Sequence, residues 1–490
     1  MQKMNLVSKI IDNSYLFYVF RKFRNINGYL KHHKIYNKEI NAPYNPIPKE
    51  KIVRYNFSRL FGPLKYICYA PFNSLFFDIR GKVVVCNQNR EYVIGDINKQ
   101  SIHEIWFSDE RKEIQDFISN YDFSKGCQKC ADAILSNNLN GLPAISYDST
   151  PEINKYPIRM EFEISNTCNL ACLMCNSYIS STYRKHFENK EPYKSVYTSV
   201  FVNQLIEFIP HLQYTKFSGG EPFLVDLYYD IWNKLIELNP TCGIHIQTNG
   251  LVLNNKVKSI LEKGNFYIGI SLDGASKKTF EDIRLYGNFD KLTTNILYFK
   301  EYCNRKKTLL NFPFTPNTLN MYEVPQFPEF ANKYEATCFF NILWEPHAIA
   351  IWTLDSTKLI ELYEYYEKQK LIANNHIELK NKKQFDYFKN QVKTWIINAQ
   401  KREQEYLYYE KLTNNQLIQT LVDKLVEYDN GTYKNWFTDE PVNDTYYHYN
   451  NIFYKKLEEN PEKIRLLLIK MNTYDIERVH IEVNNYFHLH

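Results

Sequence analysis

The sequence predicts an α/β protein with a largely parallel central sheet, and three observations carry that expectation. Between residues 158 and 345, short segments rich in apolar, aromatic and β-branched residues recur at 158–165, 213–218, 243–248, 266–272, 308–315 and 337–343. Helical patterns separate them, for example 200–208, 227–238, 256–263 and 290–303. Several strands also alternate cleanly in polarity, so each presents two distinct faces. Strands that alternate with helices build a parallel sheet with right-handed crossovers, either open or curled into a partial barrel. The expected architecture is a (β/α)6 partial barrel, preceded by a small α+β unit and followed by a mostly helical region.

Each part has its own reason. Residues 1–50 read as a basic helical segment that ends in a Pro-rich linker, Ala42-Pro-Tyr-Asn-Pro-Ile-Pro48. Its apolar run, Tyr15-Leu-Phe-Tyr-Val-Phe20, is too short to span a bilayer and lacks a small-residue cleavage site. A packed helix is expected there rather than a membrane-surface one. Residues 51–135 form the small unit, with strands at 75–79 and 82–85 around an Arg80-Gly81 turn and helices at 101–108 and 110–119. Residues 136–157 are polar and turn-rich and read as a linker. The barrel occupies 158–345. Residues 346–490 are helical, aromatic and charged, and carry no motif.

Alternation sorts the barrel strands. Met160, Phe162 and Ile164 share one face of the first strand, and Arg159, Glu161 and Glu163 share the other. In 244–249, Ile244 and Ile246 oppose His245, Gln247 and Asn249. The apolar faces should pack on helices and the polar faces should line the interior. Two uses of that interior stay open: a polar lumen for a polar substrate, or a buried ion-pair network.

A chain of 490 residues suits roughly three domains. The net charge of +5 is small and its basic residues are spread out, which argues against a nucleic-acid partner. Ten cysteines in so long a chain do not read as a secreted disulfide framework. Free, grouped thiols suit a reducing cytoplasm. Cys242, Cys303 and Cys338 are scattered and read as core packing.

The chemistry centres on Thr167-Cys168-Asn169-Leu170-Ala171-Cys172-Leu173-Met174-Cys175, directly after the first barrel strand. The C-terminal ends of parallel strands are where such folds place their sites. Three thiolates at C-x3-C-x2-C can hold three irons of a [4Fe–4S] cluster and leave the fourth open. Zinc would want four ligands, usually in two close pairs. Further on come Phe217-Ser-Gly-Gly-Glu-Pro222 and Ser271-Leu-Asp-Gly274.

With these motifs on successive strands, the chain resembles the radical S-adenosylmethionine (radical SAM) enzymes over about 158–345. The resemblance implies that the open iron of the Cys168, Cys172 and Cys175 cluster chelates SAM. It implies that Gly219 and Gly220 admit the methionine part, that Glu221 accepts from its amine, and that Met174 lies near adenine. Ser271 and Arg284 resemble the pair that contacts the ribose and carboxylate, and Asn249 faces SAM. Reductive cleavage would then yield a 5′-deoxyadenosyl radical that takes hydrogen from substrate.

Four more cysteines are spaced Cys68-x17-Cys86 and Cys127-x2-Cys130. With Gly81, Gly95-Asp96-Ile97 and Ser101-Ile-His-Glu-Ile-Trp106, they resemble the twitch, or half-SPASM, auxiliary-cluster domain of radical SAM maturases and dehydrogenases. Such domains usually follow the barrel, and here the unit precedes it. The resemblance implies an auxiliary [4Fe–4S] cluster that exchanges an electron with the substrate radical. A four-thiolate zinc site stays open as the alternative. An external donor such as flavodoxin or ferredoxin would reduce the first cluster. The expected activity is a radical SAM oxidoreductase or maturase acting on a peptide or protein, or else on a sugar or other small polar metabolite. The rival of another class is a non-catalytic electron carrier, which has no need of the Gly219-Gly220-Glu221 turn.

Overall fold

The computed structural model describes residues 47–413, apart from 60–62, 136–138, 140–141 and 149–152, together with 415–417, 419–420, 423 and 468. Residues 1–46, with the apolar run, and most of 414–490 in the expected helical region lie outside the described residues.

The barrel strands form where alternation places them: β4 (Arg159–Phe162), β6 (Tyr214–Phe217), β7 (Gly243–Thr248), β8 (Phe266–Ile270), β10 (Leu310–Phe314) and β11 (Thr337–Phe340). All six are parallel to their neighbours and lie in chain order across the sheet. Helices Asp226–Leu238, Asn255–Lys263, Phe289–Lys306 and Phe327–Lys333 supply crossovers. Asn254 and Asn288 cap two of them by accepting from backbone N–H groups three residues on.

The sheet does not stop at β4. Strand β1 (Ser74–Phe77), from the small cysteine-bearing unit, pairs in parallel with β4 through Ser74↔Arg159 to Phe77↔Phe162. Strands β2 (Lys82–Val84) and β3 (Gly95–Asp96) then continue it in antiparallel fashion. The result is one nine-stranded sheet. The reason is legible in the side chains: Phe77, Phe162 and Phe217 are direct cross-strand partners, stacked with centroids 5.4 and 4.8 Å apart. Such aromatic pairs are a main unit of sheet stabilisation.

One face of β4 and β7 is buried: Met160, Phe162, Ile244 and Ile246 are at most 3% exposed. The opposite face carries Glu161, Lys216, His245 and Tyr267 in one register row. The β11 edge is covered by Asn381, wholly buried, which accepts from Cys338 N–H and donates to Ala336 O. Cys242, Cys303 and Cys338 are buried, as packing residues should be.

The chain divides into two compact units, one comprising residues up to 346 with 371–385, the other 347–370 with 386 onward. In the second, the helix Ser356–Glu367 starts at the N-cap Asp355, whose carboxylate accepts from Lys358 N–H. Ser356 donates to Glu403, and Arg402 donates to Trp352 O. Among the described residues no helix is long and apolar enough to cross a membrane.

Candidate functional site

The three-cysteine loop leaves the C-terminal end of β4 and is pinned by the start of the helix Ser181–Glu188. Cys168 N–H donates to Ser181 Oγ (3.1 Å), and Thr182 Oγ1 donates to Cys168 O (2.5 Å). Within the loop, β5 (Ala171–Cys172) pairs with β9 (Arg284–Leu285), making Cys172 and Arg284 direct partners. Cys172 lies near enough to raise the proton affinity of Cys168 and Cys175, and Cys168 adds to that of Cys175. Burial, helped by Glu221 and Cys172, pushes Cys168 up to about 11. Burial raises Cys172 and Cys175 as well, with Arg284 opposing it at both. Iron binding would displace these protons, as it must for any thiolate ligand. A close set of free thiols, Cys172 buried and Cys168 and Cys175 partly so, with a guanidinium at its side, fits an iron–sulfur cluster whose thiolate ligands carry negative charge.

The Gly219-Gly220 turn follows β6, with φ of +78° and +48°. A Cβ on Gly220 would lie 2.2 Å from Thr167 O, and one on Gly219 would lie 2.7 Å from Glu163 Cγ. The glycines are therefore needed for the turn to pass under the cysteine loop itself, a reason that sequence reading did not supply. Glu221 is fully buried. Its Oε1 accepts from Phe223 N–H (3.1 Å) and Thr248 Oγ1 (2.7 Å), and its Oε2 accepts from Asn249 N–H (2.7 Å). A SAM amine would have to share these oxygens.

The remaining expected contacts are also engaged. Asn249 Nδ2 donates to Asn169 Oδ1 (2.8 Å), which ties β7's end to the cysteine loop. Ser271 Oγ accepts from Gln247 Nε2 (2.7 Å). Arg284 is buried, pairs with Asp273 (2.5 Å), donates to Leu272 O, and reaches Cys172 Sγ at 3.7 Å. Met174 is half-buried in the loop.

In the second set, Cys68 precedes β1 and Cys86 follows β2. Cys130 is pushed up to about 12 by burial and by Cys86, and burial also raises Cys68, Cys86 and Cys127. Cys68 feels the charge of all three others. Cys127 directly precedes the helix Gln128–Leu135, and Cys130 lies in its first turn. The stretch read as a linker returns to this set: Ala144 N–H approaches Cys130, and Tyr147 packs with Cys68 and Cys86. Tyr147 OH then donates to Glu161 Oε1 (3.2 Å) on the barrel's polar face.

The radical SAM superfamily model matches residues 162–323, the span that contains the cysteine loop and the Gly-Gly-Glu turn. The chain therefore carries a radical SAM domain over 162–323. An iron–sulfur cluster-binding (SPASM) domain matches residues 68–131, which hold the second cysteine set. The two domains imply a [4Fe–4S] cluster with SAM and an auxiliary iron–sulfur cluster. It is 26% identical over 163 residues to a GTP 3′,8-cyclase of Clostridium perfringens, covering 31% of this chain and 45% of that protein. It is 31% identical over 148 residues to a cysteine-type anaerobic sulfatase-maturating enzyme of Clostridium novyi, covering 28% and 39%. The mycofactocin maturase MftC of Mycolicibacterium smegmatis is 24% identical over 186 residues, covering 37% and 43%. The chain spans less than half the length of these relatives. Among solved structures, native anSMEcpe with bound AdoMet overlays with a TM-score of 0.33 at 18% identity, covering 43% and 60%. Streptococcus suis SuiB bound to S-adenosylmethionine overlays at 0.33 and 15%, covering 54% and 59%.

Sequence reasoning missed four residues of the two sites. Asp273 has φ +62° and holds Arg284; a Ser-Leu-Asp-Gly stretch signals a turn but not its partner. Tyr147 lay inside an apparent linker. Asn89 and Arg90 follow Cys86 in the β2–β3 loop. Asn89 touches two of the auxiliary thiols. Arg90 makes a two-pronged pair with Glu163 (3.2 and 3.3 Å), next to Gly219.

Proposed function

We propose that this chain cleaves SAM reductively at a cluster held by Cys168, Cys172 and Cys175, and removes hydrogen from a peptide or protein substrate. The single observation that carries it is the juxtaposition of that loop with Arg284 and the Gly219-Gly220 turn. When bound, the cluster and SAM supply a 5′-deoxyadenosyl radical. The residues do the rest. Arg284, fixed by Asp273, places positive charge beside Cys172. Glu221 and Asn249 lock the ends of β6 and β7 against the loop, so that the binding surface is rigid before SAM arrives. Ser271 and Met174 complete the SAM contacts. Cys68, Cys86, Cys127 and Cys130 would hold the auxiliary cluster, which would supply an acceptor for the substrate's electron, and a donor such as flavodoxin or ferredoxin in a reducing cytoplasm would serve the first cluster.

The substrate reading draws on the polar face. Glu161 is 1% exposed, and among the described residues its Oε2 and Asn311 Oδ1 accept no hydrogen bond. These two buried, unpaired acceptors mark the face that continues across β4 to β10 as polar, which suits a substrate rich in hydrogen-bond donors, as a peptide backbone is. Glu161 Oε1 pairs with Arg159 and Glu163 with Arg90, so the ion-pair network is present on this face, and in this reading the same face also serves the substrate.

The test is anaerobic reconstitution with iron and sulfide, then SAM and dithionite. We expect 5′-deoxyadenosine from the wild type and none from Cys172→Ala. A fully loaded wild type that makes none would leave an electron carrier as the reading. Label from a deuterated peptide appearing in 5′-deoxyadenosine would support the peptide class, and label from a deuterated sugar would replace it.

A further inference from the structure

Asn89 occupies an unusual place among the auxiliary thiols. It is 1% exposed and lies at an isolated antiparallel bridge with Cys86. Its backbone N–H donates to Cys86 Sγ at 3.3 Å, and its side-chain Nδ2 donates to Cys127 Sγ at 3.4 Å. The two sulfurs belong to cysteines 41 positions apart in the chain, so one residue joins the two halves of the set.

The orientation of the amide is settled by its neighbours. Nδ2 also donates to Lys125 O (2.6 Å), a group that can only accept. Oδ1 accepts from Tyr92 N–H (3.0 Å), a group that can only donate. A flipped amide would set acceptor against acceptor and donor against donor, so it is the N–H that faces Cys127. Space for the amide is made by Gly126, at φ +71°, where a Cβ would lie 2.2 Å from Asn89 Oδ1. No side chain other than glycine's fits there without expelling the amide.

Hydrogen bonds to cluster sulfurs stabilise the electron-rich, reduced state, and they are one of the protein's main controls of potential. We propose that Asn89 is a positioning residue of the auxiliary cluster, joining Cys86 and Cys127 through two N–H donors and holding the cluster's reduction potential up, so that it accepts an electron more readily. This rests on the reading that the four cysteines hold an iron–sulfur cluster.

The test is potentiometric titration, followed by electron paramagnetic resonance, of the full chain carrying Cys168→Ala, Cys172→Ala and Cys175→Ala, so that only the auxiliary set remains. Asn89→Asp keeps shape, backbone N–H and the acceptor for Tyr92 but replaces the donor with charge; Asn89→Ala removes the amide. Both should keep about four irons. Both should accept an electron less readily, Asn89→Ala by about tenfold, which is about 59 mV for one electron, and Asn89→Asp by more. Unchanged potentials with iron retained would overturn the proposal. Should both variants lose iron, the asparagine with its native side chain is labelled with 15N instead. A nitrogen coupling at the reduced cluster that Lys125 O and Tyr92 N cannot supply supports the proposal, and its absence overturns it. A chain with native Asn89 that binds no auxiliary iron would sink the four-cysteine reading and this one with it, whereas the preceding outcomes sink this one alone.

Discussion

Arg284 shows how a single side chain serves two purposes. Its guanidinium neutralises Asp273 and faces Cys172, and burial of the pair leaves no room for either charge alone. Arg284→Ala should therefore lower stability by about 3–5 kcal/mol, the usual effect of stranding a buried charge; thermal denaturation of the iron-free protein reads it. Glu221 gives a second expectation at this scale. Burial pushes its carboxyl up to about 7, against hydrogen bonds that pull it down. A carboxyl raised on folding binds its proton more tightly in the folded chain. Its stabilising contribution is complete below about 4.5 and is lost as pH rises to about 7, a span worth about 3 kcal/mol. Urea unfolding of the iron-free protein at stepped pH should show that decline in wild type and a flatter profile in Glu221→Gln; equal slopes would refute it. The cysteines themselves were legible in the sequence because their spacing is local. The partners of Glu221, Asn249 and Arg284 were not, because each is delivered from a different strand end by the fold.

At the level of elements, alternation placed every barrel strand to within a few residues, since one face of each must be apolar. What alternation could not place was the neighbour of β4. The sequence separates 75–79 from 158–165 by more than seventy positions, and their pairing depends on a cross-strand aromatic match rather than on any local pattern. The apparent linker was misread for a related reason: its polar composition hides Ala144 and Tyr147, which turn inward. The β11 edge supplies the prediction here. Asn381→Ala would leave Cys338 N–H and Ala336 O buried without their partner, and should destabilise the protein by about 1–3 kcal/mol in thermal denaturation. An unchanged melting temperature would mean that water replaces the amide.

At the level of the molecule, one sheet carries both cysteine sets. Backbone amides of β1 and β4 should exchange with solvent only through the same large opening as those of β6 and β7, because no break in pairing divides them. Hydrogen–deuterium exchange that released β1 well before β6 would show instead that the cysteine-bearing unit opens by itself. Such a division is what the sequence suggests, with its polar stretch between two motif-bearing spans, and the continuous pairing is what argues against it.

The shared strand pair has one more consequence. Since Ser74–Phe77 is zipped residue by residue to Arg159–Phe162, the interval between the two metal-binding loops is a count of peptide units and not a property of any hinge. Inserting one residue into β1 would not simply lengthen a connection. It would turn the strand's side chains over and slide one loop past the other, so the spacing between the two loops is inherited along with the hydrogen-bond register, and the cysteine-bearing unit cannot be lifted onto another barrel without it.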